Sequence, residues 1–234
     1  MKEMDKLQLI ASQFGYSRGI MQSSIRYCFD VLKRHLVPGN ILELGPAEGV
    51  MTELLYGFNQ DLTIVEGSTQ FCDLIQNKFP TVHVFNEMFE EFAPNDKFDN
   101  IVLSHVLEHV ENPAALLTKV KNWLSPDGVI FATVPNASSI HRQAAVLLGL
   151  LKAENSLNRA DIDHGHKRVF NPSEFKKIFN DAGLKVNKFG GYWLKPLANK
   201  QIEQHWTPEM IDAFMCLGES YPDIAGEIYA VVSH

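Results

Sequence analysis

The stretch ILELGPAEG, residues 41–49, decides the fold class of this chain. Its first four residues predict a short strand, and the spacing of Gly45 and Gly49 predicts a tight turn where backbone can approach a ligand. Val50 to Tyr56 continues as a predicted helix. A strand, a glycine turn and a helix in this order are typical of the first unit of a parallel α/β sheet.

The alternation of strands and helices continues outward from this unit. A helix is predicted before it, from about Asp5 to Leu36. Further strands are predicted over Leu62–Glu66, Val82–Phe85, Phe98–Ser104, Val129–Val134, Leu184–Phe189 and Ile228–Val232. Because the strands are almost continuously apolar, helices must cover both faces of the sheet. The sequence therefore predicts an α/β fold: a doubly wound, mostly parallel seven-stranded sheet, Rossmann-like, with helical insertions.

The 234 residues suit a single domain. We expect residues 1–38 to form an N-terminal helical cap and residues 39–135 to form a cofactor-binding core. Residues 136–170 and 191–226 interrupt the alternation, with predicted helices at Ala144–Leu151 and Pro208–Leu217. These two insertions are expected to form a lid and a substrate region.

Composition limits the possible partners. The formal net charge of −7 disfavours a broad grip on nucleic-acid phosphates. No apolar run is long enough to span a bilayer, and the N-terminus lacks the pattern of a secretory signal, so neither a membrane nor export is expected. Three widely separated cysteines fit free thiols in the cytoplasm. The oligomeric state is left open.

The glycine turn and the next strand end indicate the class of ligand. A dinucleotide enzyme would place a pyrophosphate at this turn, where Glu48 would repel it. A ligand with a cationic ammonium and sulfonium tolerates that acid. Glu66 ends the second strand, where a carboxylate can accept both ribose hydroxyls of an adenosine ligand. A nicotinamide oxidoreductase is therefore the weaker interpretation.

Residues 40–135 resemble the core of class I S-adenosylmethionine-dependent methyltransferases. The pattern Glu43-x-Gly45-x-Ala47-x-Gly49 is similar to the family's glycine-rich turn, with alanine at the middle glycine. The run from Leu103 to Val110, and the later run from Asp163 to Phe170, resemble the branch that includes ubiquinone-pathway O-methyltransferases. The resemblance implies S-adenosylmethionine as the cofactor and a methyl transfer as the reaction.

The resemblance also implies which residues bind the cofactor. The turn would hold its methionine part, Glu66 its ribose, and the segment after the third strand its adenine. The implied set is Glu43, Gly45, Ala47, Gly49, Glu66, Gly67, Glu87, Met88, Phe89, Ser104, His105 and Tyr16.

The segment His105-Val106-Leu107-Glu108-His109 also matches the H-x-x-E-H pattern of a zinc peptidase. A peptidase needs the pattern inside a long helix, whereas here it starts at a strand end and Pro113 follows closely. In the resembling branch the pattern reads Glu-x-x-Glu-His, and some members bind a divalent metal there. His105 replaces the first glutamate, so we expect no metal.

The expected reaction moves a methyl group to an oxygen or nitrogen of a small-molecule acceptor. Histidine suits the removal of a proton from the acceptor, because its pKa lies near neutrality. His109 is the first candidate, followed by His164 and His166; Arg168 is a candidate for holding an acidic acceptor. The alternative is a non-catalytic cofactor-binding protein that supports a partner.

Overall fold

A computed structural model describes residues 19–234 and shows a seven-stranded sheet in the order β3-β2-β1-β4-β5-β7-β6. The strands are β1 (Ile41–Leu44), β2 (Leu62–Val65), β3 (His83–Phe85), β4 (Phe98–Ser104), β5 (Leu124–Pro135), β6 (Lys185–Tyr192) and β7 (Glu227–Ser233). The pairs from β3 to β5 are parallel, and β7 is antiparallel to both of its neighbours. The predicted mostly parallel sheet is confirmed. The carboxyl ends of β1, β2, β4, β5 and β6 thus share one edge with the first residue of β7.

The helices lie on both faces of this sheet. They are α1 (Ile20–Leu32), α2 (Val50–Phe58), α3 (Thr69–Lys78), α4 (Pro113–Trp123), α5 (Ile140–Leu147), α6 (Arg159–Asp163), α7 (Pro172–Asp181), α8 (Asn199–His205) and α9 (Pro208–Ser220). Asn112 and Asn171 cap α4 and α7 through their side chains, and proline follows each at the first helical position. Both signals are local, which is why the starts of these helices are predictable.

Two apolar clusters form the core, one on each face of the sheet. One joins β4 and β5 to α4 and α7 through residues such as Ile101, Leu117 and Phe175. The other joins β1 and β2 to α1 and α2 through residues such as Ile64, Val31 and Leu55. Every residue of β1 is buried, as a strand with two covered faces requires.

Several predicted boundaries differ from the structure. α1 ends at Leu32, not Leu36, and the part of the predicted helix before residue 19 lies outside the described residues. α5 runs over Ile140–Leu147 instead of Ala144–Leu151. The apolar residues at the end of α5 and just after it do not pack inward, since Leu147 is 89% exposed and Leu150 is 74% exposed. α8 was not predicted.

Within residues 19–234, no helix combines the length and the apolar composition that a bilayer span requires. Cys28, Cys72 and Cys216 are free thiols, as predicted.

Candidate active site

The turn after β1 places three residues in the left-handed region of backbone space. Gly45, Ala47 and Gly49 have φ values of 65°, 49° and 77°. A Cβ added at Gly45 would lie 3.3 Å from both the Phe89 ring and a methyl of Val106. Alanine tolerates its position at a cost of roughly 1 kcal/mol. The turn therefore favours glycine or alanine at these three positions and brings the Gly45 backbone close to Phe89 and Val106.

Glu43 supports this turn from behind. Its side chain is buried and accepts a hydrogen bond from Thr52 Oγ1 at 2.7 Å. Burial raises the pKa of Glu43 to about 8. The side chain of Glu43 thus holds α2 to the strand before the turn. Its role in cofactor binding stays a prediction.

Glu66 connects the ends of β1 and β2. Its carboxylate accepts a hydrogen bond from Ser68 N at 2.7 Å and is also bonded by the amides of Ala47 and Gly67. Burial nevertheless raises its pKa to about 7. The two predicted cofactor loops thus meet at this carboxylate.

The segment after β3 closes the other side of the same turn. Glu87 is exposed, whereas Met88 and Phe89 are half-buried, with the Phe89 ring near Gly45. Asn86, which sequence reasoning missed, donates to the Glu66 carbonyl at 3.0 Å and accepts from Thr69 Oγ1 at 2.8 Å. A lone asparagine after a strand gave no signal of this link.

The segment following β4 is a series of turns and not a helix. Ser104 ends the strand, and His105 takes a φ of 57° while its amide donates to Thr133 O at 3.0 Å. Since H-x-x-E-H in a peptidase must be helical, the structure excludes that interpretation.

His105 lies between two buried carboxylates. Its Nδ1 is 3.1 Å from Glu108 Oε1, and its Nε2 is 3.7 Å from Glu227 Oε2. Burial opposes the charged imidazole, but the charge of Glu227 and the hydrogen bond to Glu108 outweigh it and raise the pKa of His105. Burial would likewise raise the pKa of Glu108, yet the bond to His105 holds it below its ordinary value. Both shifts favour the charged pair, with the proton on His105 and a carboxylate at Glu108.

His109 and His166 meet beside this ion pair. Their rings contact edge to face with centroids 4.9 Å apart, and one nitrogen of each lies with a Glu108 oxygen in a group of atoms within 4.8 Å of one another. Burial lowers the pKa of His109 to about 4, although its ring also bonds to the backbone of Gly165. The ring centroid of His164 is 6.2 Å from that of His166. The structure thus brings His109 and His166 together and leaves His164 farther out.

The two insertions and the first residue of β7 add charged groups that the sequence analysis did not single out. Asp161 lies 3.4 Å from His166 Nδ1 and 3.1 Å from Arg142 Nη1. Lys195 and Glu227 reach the same edge from the end of β6 and the start of β7. Arg168 donates to the carbonyls of residues 107, 110 and 111, so it fixes the turns after β4. Tyr16 lies outside the described residues.

Comparison with known proteins identifies the family. The model of a family described as "Methyltransferase domain" matches residues 17–188, well over half of the chain. The chain belongs to this methyltransferase family. It is a class I S-adenosylmethionine-dependent methyltransferase, as the glycine turn and Glu66 indicated.

Curated relatives are distant from this methyltransferase. The ubiquinone biosynthesis O-methyltransferase of Actinobacillus pleuropneumoniae is 25% identical over 171 residues, covering 68% of this chain and 71% of the relative. The protein of the same name from Rickettsia felis is 21% identical, and the match covers 93% of each chain.

Solved structures share the fold. A methyltransferase of Thermotoga maritima described as a possible histamine N-methyltransferase superposes with a TM-score of 0.66 at 14% identity, over 99% of this chain and 94% of its own. The CcbJ methyltransferase of Streptomyces caelestis superposes with a TM-score of 0.65 at 12% identity, over 97% and 95% of the two chains.

Proposed function

We propose that this enzyme transfers a methyl group from S-adenosylmethionine to an oxygen or nitrogen of a small molecule, with His109 as the base. The observation that carries the proposal is the convergence of His109, His166 and a Glu108 oxygen at the carboxyl end of β4. The neighbouring strand β1 ends in the glycine turn. In doubly wound sheets, ligands bind beyond this edge.

The residues around the turn fit the cofactor. The backbone at Gly45 would hold the methionine part, and Glu66 would accept the ribose hydroxyls. When bound, the cofactor supplies a methyl group on a positively charged sulfur. The protein's part is to hold the acceptor atom in line with that methyl, an orientation effect on the order of several kcal/mol.

His109 is available to remove the acceptor's proton, although the burial that keeps it neutral also makes it a weaker base than an exposed histidine. Burial keeps its imidazole neutral at physiological pH, and the bond to Gly165 occupies one ring nitrogen, which leaves the other to accept a proton. The buried Glu108 carboxylate would stabilise the imidazolium that forms. His105 suits this role less well, because Glu227 and Glu108 favour its protonated form.

The acceptor side of the site would be formed by the two insertions, residues 136–170 and 191–226. They contribute Arg142, Asp161, His166 and Lys195. The ubiquinone biosynthesis relatives favour oxygen as the accepting atom, whereas the possible histamine N-methyltransferase favours nitrogen. The free cysteines favour activity in a reducing compartment, such as the cytoplasm.

Turnover with a panel of phenols, catechols and primary amines tests the proposal. We expect one acceptor class to yield S-adenosylhomocysteine and a methylated product in equal amounts, as detected by mass spectrometry. Cofactor binding in calorimetry without turnover on any member of the panel would instead favour a non-catalytic binding protein.

Replacing Glu66 with glutamine is expected to weaken the affinity for S-adenosylhomocysteine by roughly 1 to 3 kcal/mol, the usual range for hydrogen bonds to a charged group. Because the ionised carboxylate accepts the hydroxyls and burial raises its pKa to about 7, wild-type affinity should rise as pH increases from 5.5 to about 7.5. Calorimetry of both proteins at these pH values measures the effect. Glu91, an exposed acid, gives the matched control Glu91→Gln. Equal affinity in wild type and Glu66→Gln would refute the ribose assignment.

Chelation is expected to leave activity unchanged. The side chains of Glu108, His109 and His166 could together ligate a divalent ion. However, the His105 ring lies 3.1 Å from Glu108, and its protonated form would repel a cation. The measurement is turnover after dialysis against EDTA, with and without added magnesium, manganese or zinc. Loss of activity that one of these metals restores would make the three residues metal ligands.

A further inference from the structure

Lys195 is held at the acceptor side of the site by a tight turn after β6. Trp193 has a φ of 62°, and its carbonyl accepts from the amides of Lys195 at 2.8 Å and Gly226 at 2.6 Å. A Cβ added at Gly226 would lie 3.2 Å from the Lys195 Cβ. The stem of the lysine is therefore fixed between the end of β6 and the start of β7.

The ammonium group of Lys195 has no direct anionic partner. Its Nζ lies 4.9 Å from the centroid of the Trp193 ring. Over residues 19–234, no carboxylate oxygen comes within 4.0 Å of it and no side chain or carbonyl accepts a hydrogen bond from it. Burial lowers the pKa of Lys195 to about 8, so most of the lysine stays charged at neutral pH.

The two acids whose charges act on Lys195 also face other cations. Its charge interacts most with Glu227 and then with Asp161. Glu227 faces His105, whereas Asp161 faces Arg142 and caps α6 through the Asn158 amide at 2.8 Å. Within residues 19–234, the three N–H donors of this half-buried ammonium group are therefore not taken up by a direct ion pair or hydrogen bond.

Lys195 lies well away from the glycine turn along the sheet edge. In the sheet order, β4, β5 and β7 separate β1 from β6. The glycine turn follows β1 and Lys195 follows β6, and these two strands are roughly 19 Å apart. His109 follows β4, between these two ends. This separation favours the acceptor, and not the methionine part of the cofactor, as the source of an anion at Lys195.

We propose that Lys195 binds an anionic oxygen group of the acceptor, such as a carboxylate, and so selects acidic acceptors. The proposal rests on the proposed function, because it places the acceptor beyond the end of β4. The Lys195 ammonium would donate charge-assisted hydrogen bonds to the anion. With Arg168 committed to backbone carbonyls, Lys195 takes the role that the sequence assigned to Arg168.

Titration with a matched pair of probes tests Lys195. The protein is saturated with S-adenosylhomocysteine and titrated with benzoate and with the neutral benzamide, using wild type, Lys195→Met, Lys195→Arg and Lys200→Met. Lys200 is an exposed lysine of α8, so its variant has the same net charge as Lys195→Met. We expect wild type and Lys200→Met to bind benzoate about tenfold or more tightly than benzamide. Lys195→Met should lose this preference, and Lys195→Arg should keep most of it.

Three results would overturn the proposal: equal binding of benzoate and benzamide by wild type, no benzoate binding in the millimolar range, or an unchanged preference in Lys195→Met. The wild-type comparison decides even if a variant does not fold. Titration of S-adenosylhomocysteine into the same samples separates the two proposals, because a failure of cofactor binding concerns the proposed function and not Lys195. With an acidic acceptor in hand, Lys195→Met should raise its KM far more than it lowers kcat.

Discussion

Replacing His109 with alanine is expected to lower turnover by roughly 10²- to 10⁴-fold, the usual contribution of general-base catalysis. Affinity for S-adenosylhomocysteine should stay near the wild-type value, because the His109 ring packs against His166, which belongs to the insertion that we assign to the acceptor side. Steady-state kinetics with a known acceptor and calorimetry with the cofactor product measure the two quantities.

Two neighbouring histidines provide the comparison. His164→Ala should have a small effect, since its ring lies farther from the convergence point, and His166→Ala should mainly raise the acceptor's KM. Because burial lowers the pKa of His109 to about 4, wild-type kcat should not fall through loss of this base until pH drops below about 5. Near-normal turnover in His109→Ala would mean that the acceptor arrives already nucleophilic, for instance as a free amine.

The positions of the central strands along the chain were predictable from sequence because their signals are local. The apolar run at Ile41–Leu44, the glycine turn and the asparagine caps each act within a few residues. β5 shows the limit of such signals. Ser125 to Gly128 reads as a turn, yet the strand begins at Leu124. A Cβ at Gly128 would lie 3.0 Å from the carbonyl oxygens of Phe98 and Asp99, so the glycine permits close strand packing across a bulge.

Only half of the candidate site was predictable for a similar reason. Three residues of the site directly follow a predicted strand end: His105, Glu108 and His109. Because ligands bind at that edge of the sheet, the sequence alone predicts their place in the site. Glu227 and Lys195 reach the same place only because β7 runs antiparallel between β5 and β6. The placement of β7 between β5 and β6 depends on the tertiary structure, and no local sequence pattern predicts it. The protonation of His105 likewise depends on Glu227, which lies 122 positions along the chain.

Replacing Glu108 with glutamine is expected to lower the free energy of unfolding by about 3 to 5 kcal/mol, because it removes one partner of a buried ion pair. Glu108 is fully buried, and only Glu227 at 3.7 Å would then face the His105 imidazolium. A double-mutant cycle with His105→Asn isolates the pair, since asparagine tolerates the positive φ of this position. The double variant should be more stable than the sum of the two single losses predicts. Additive losses in urea denaturation would show that the pair contributes nothing.

The same pair should make stability depend on pH in a defined window. Burial opposes the charge of His105, but Glu227 and Glu108 raise its pKa from 6.5 to about 9. Between these values the folded state holds a proton that the unfolded state has released, so stability falls as pH rises. The contribution of His105 is complete below pH 6.5 and lost as pH passes through about 9. The difference in unfolding free energy between wild type and His105→Asn should therefore shrink from pH 6 to pH 9.5. A difference that stays constant over this range would show that His105 is neutral in the folded enzyme.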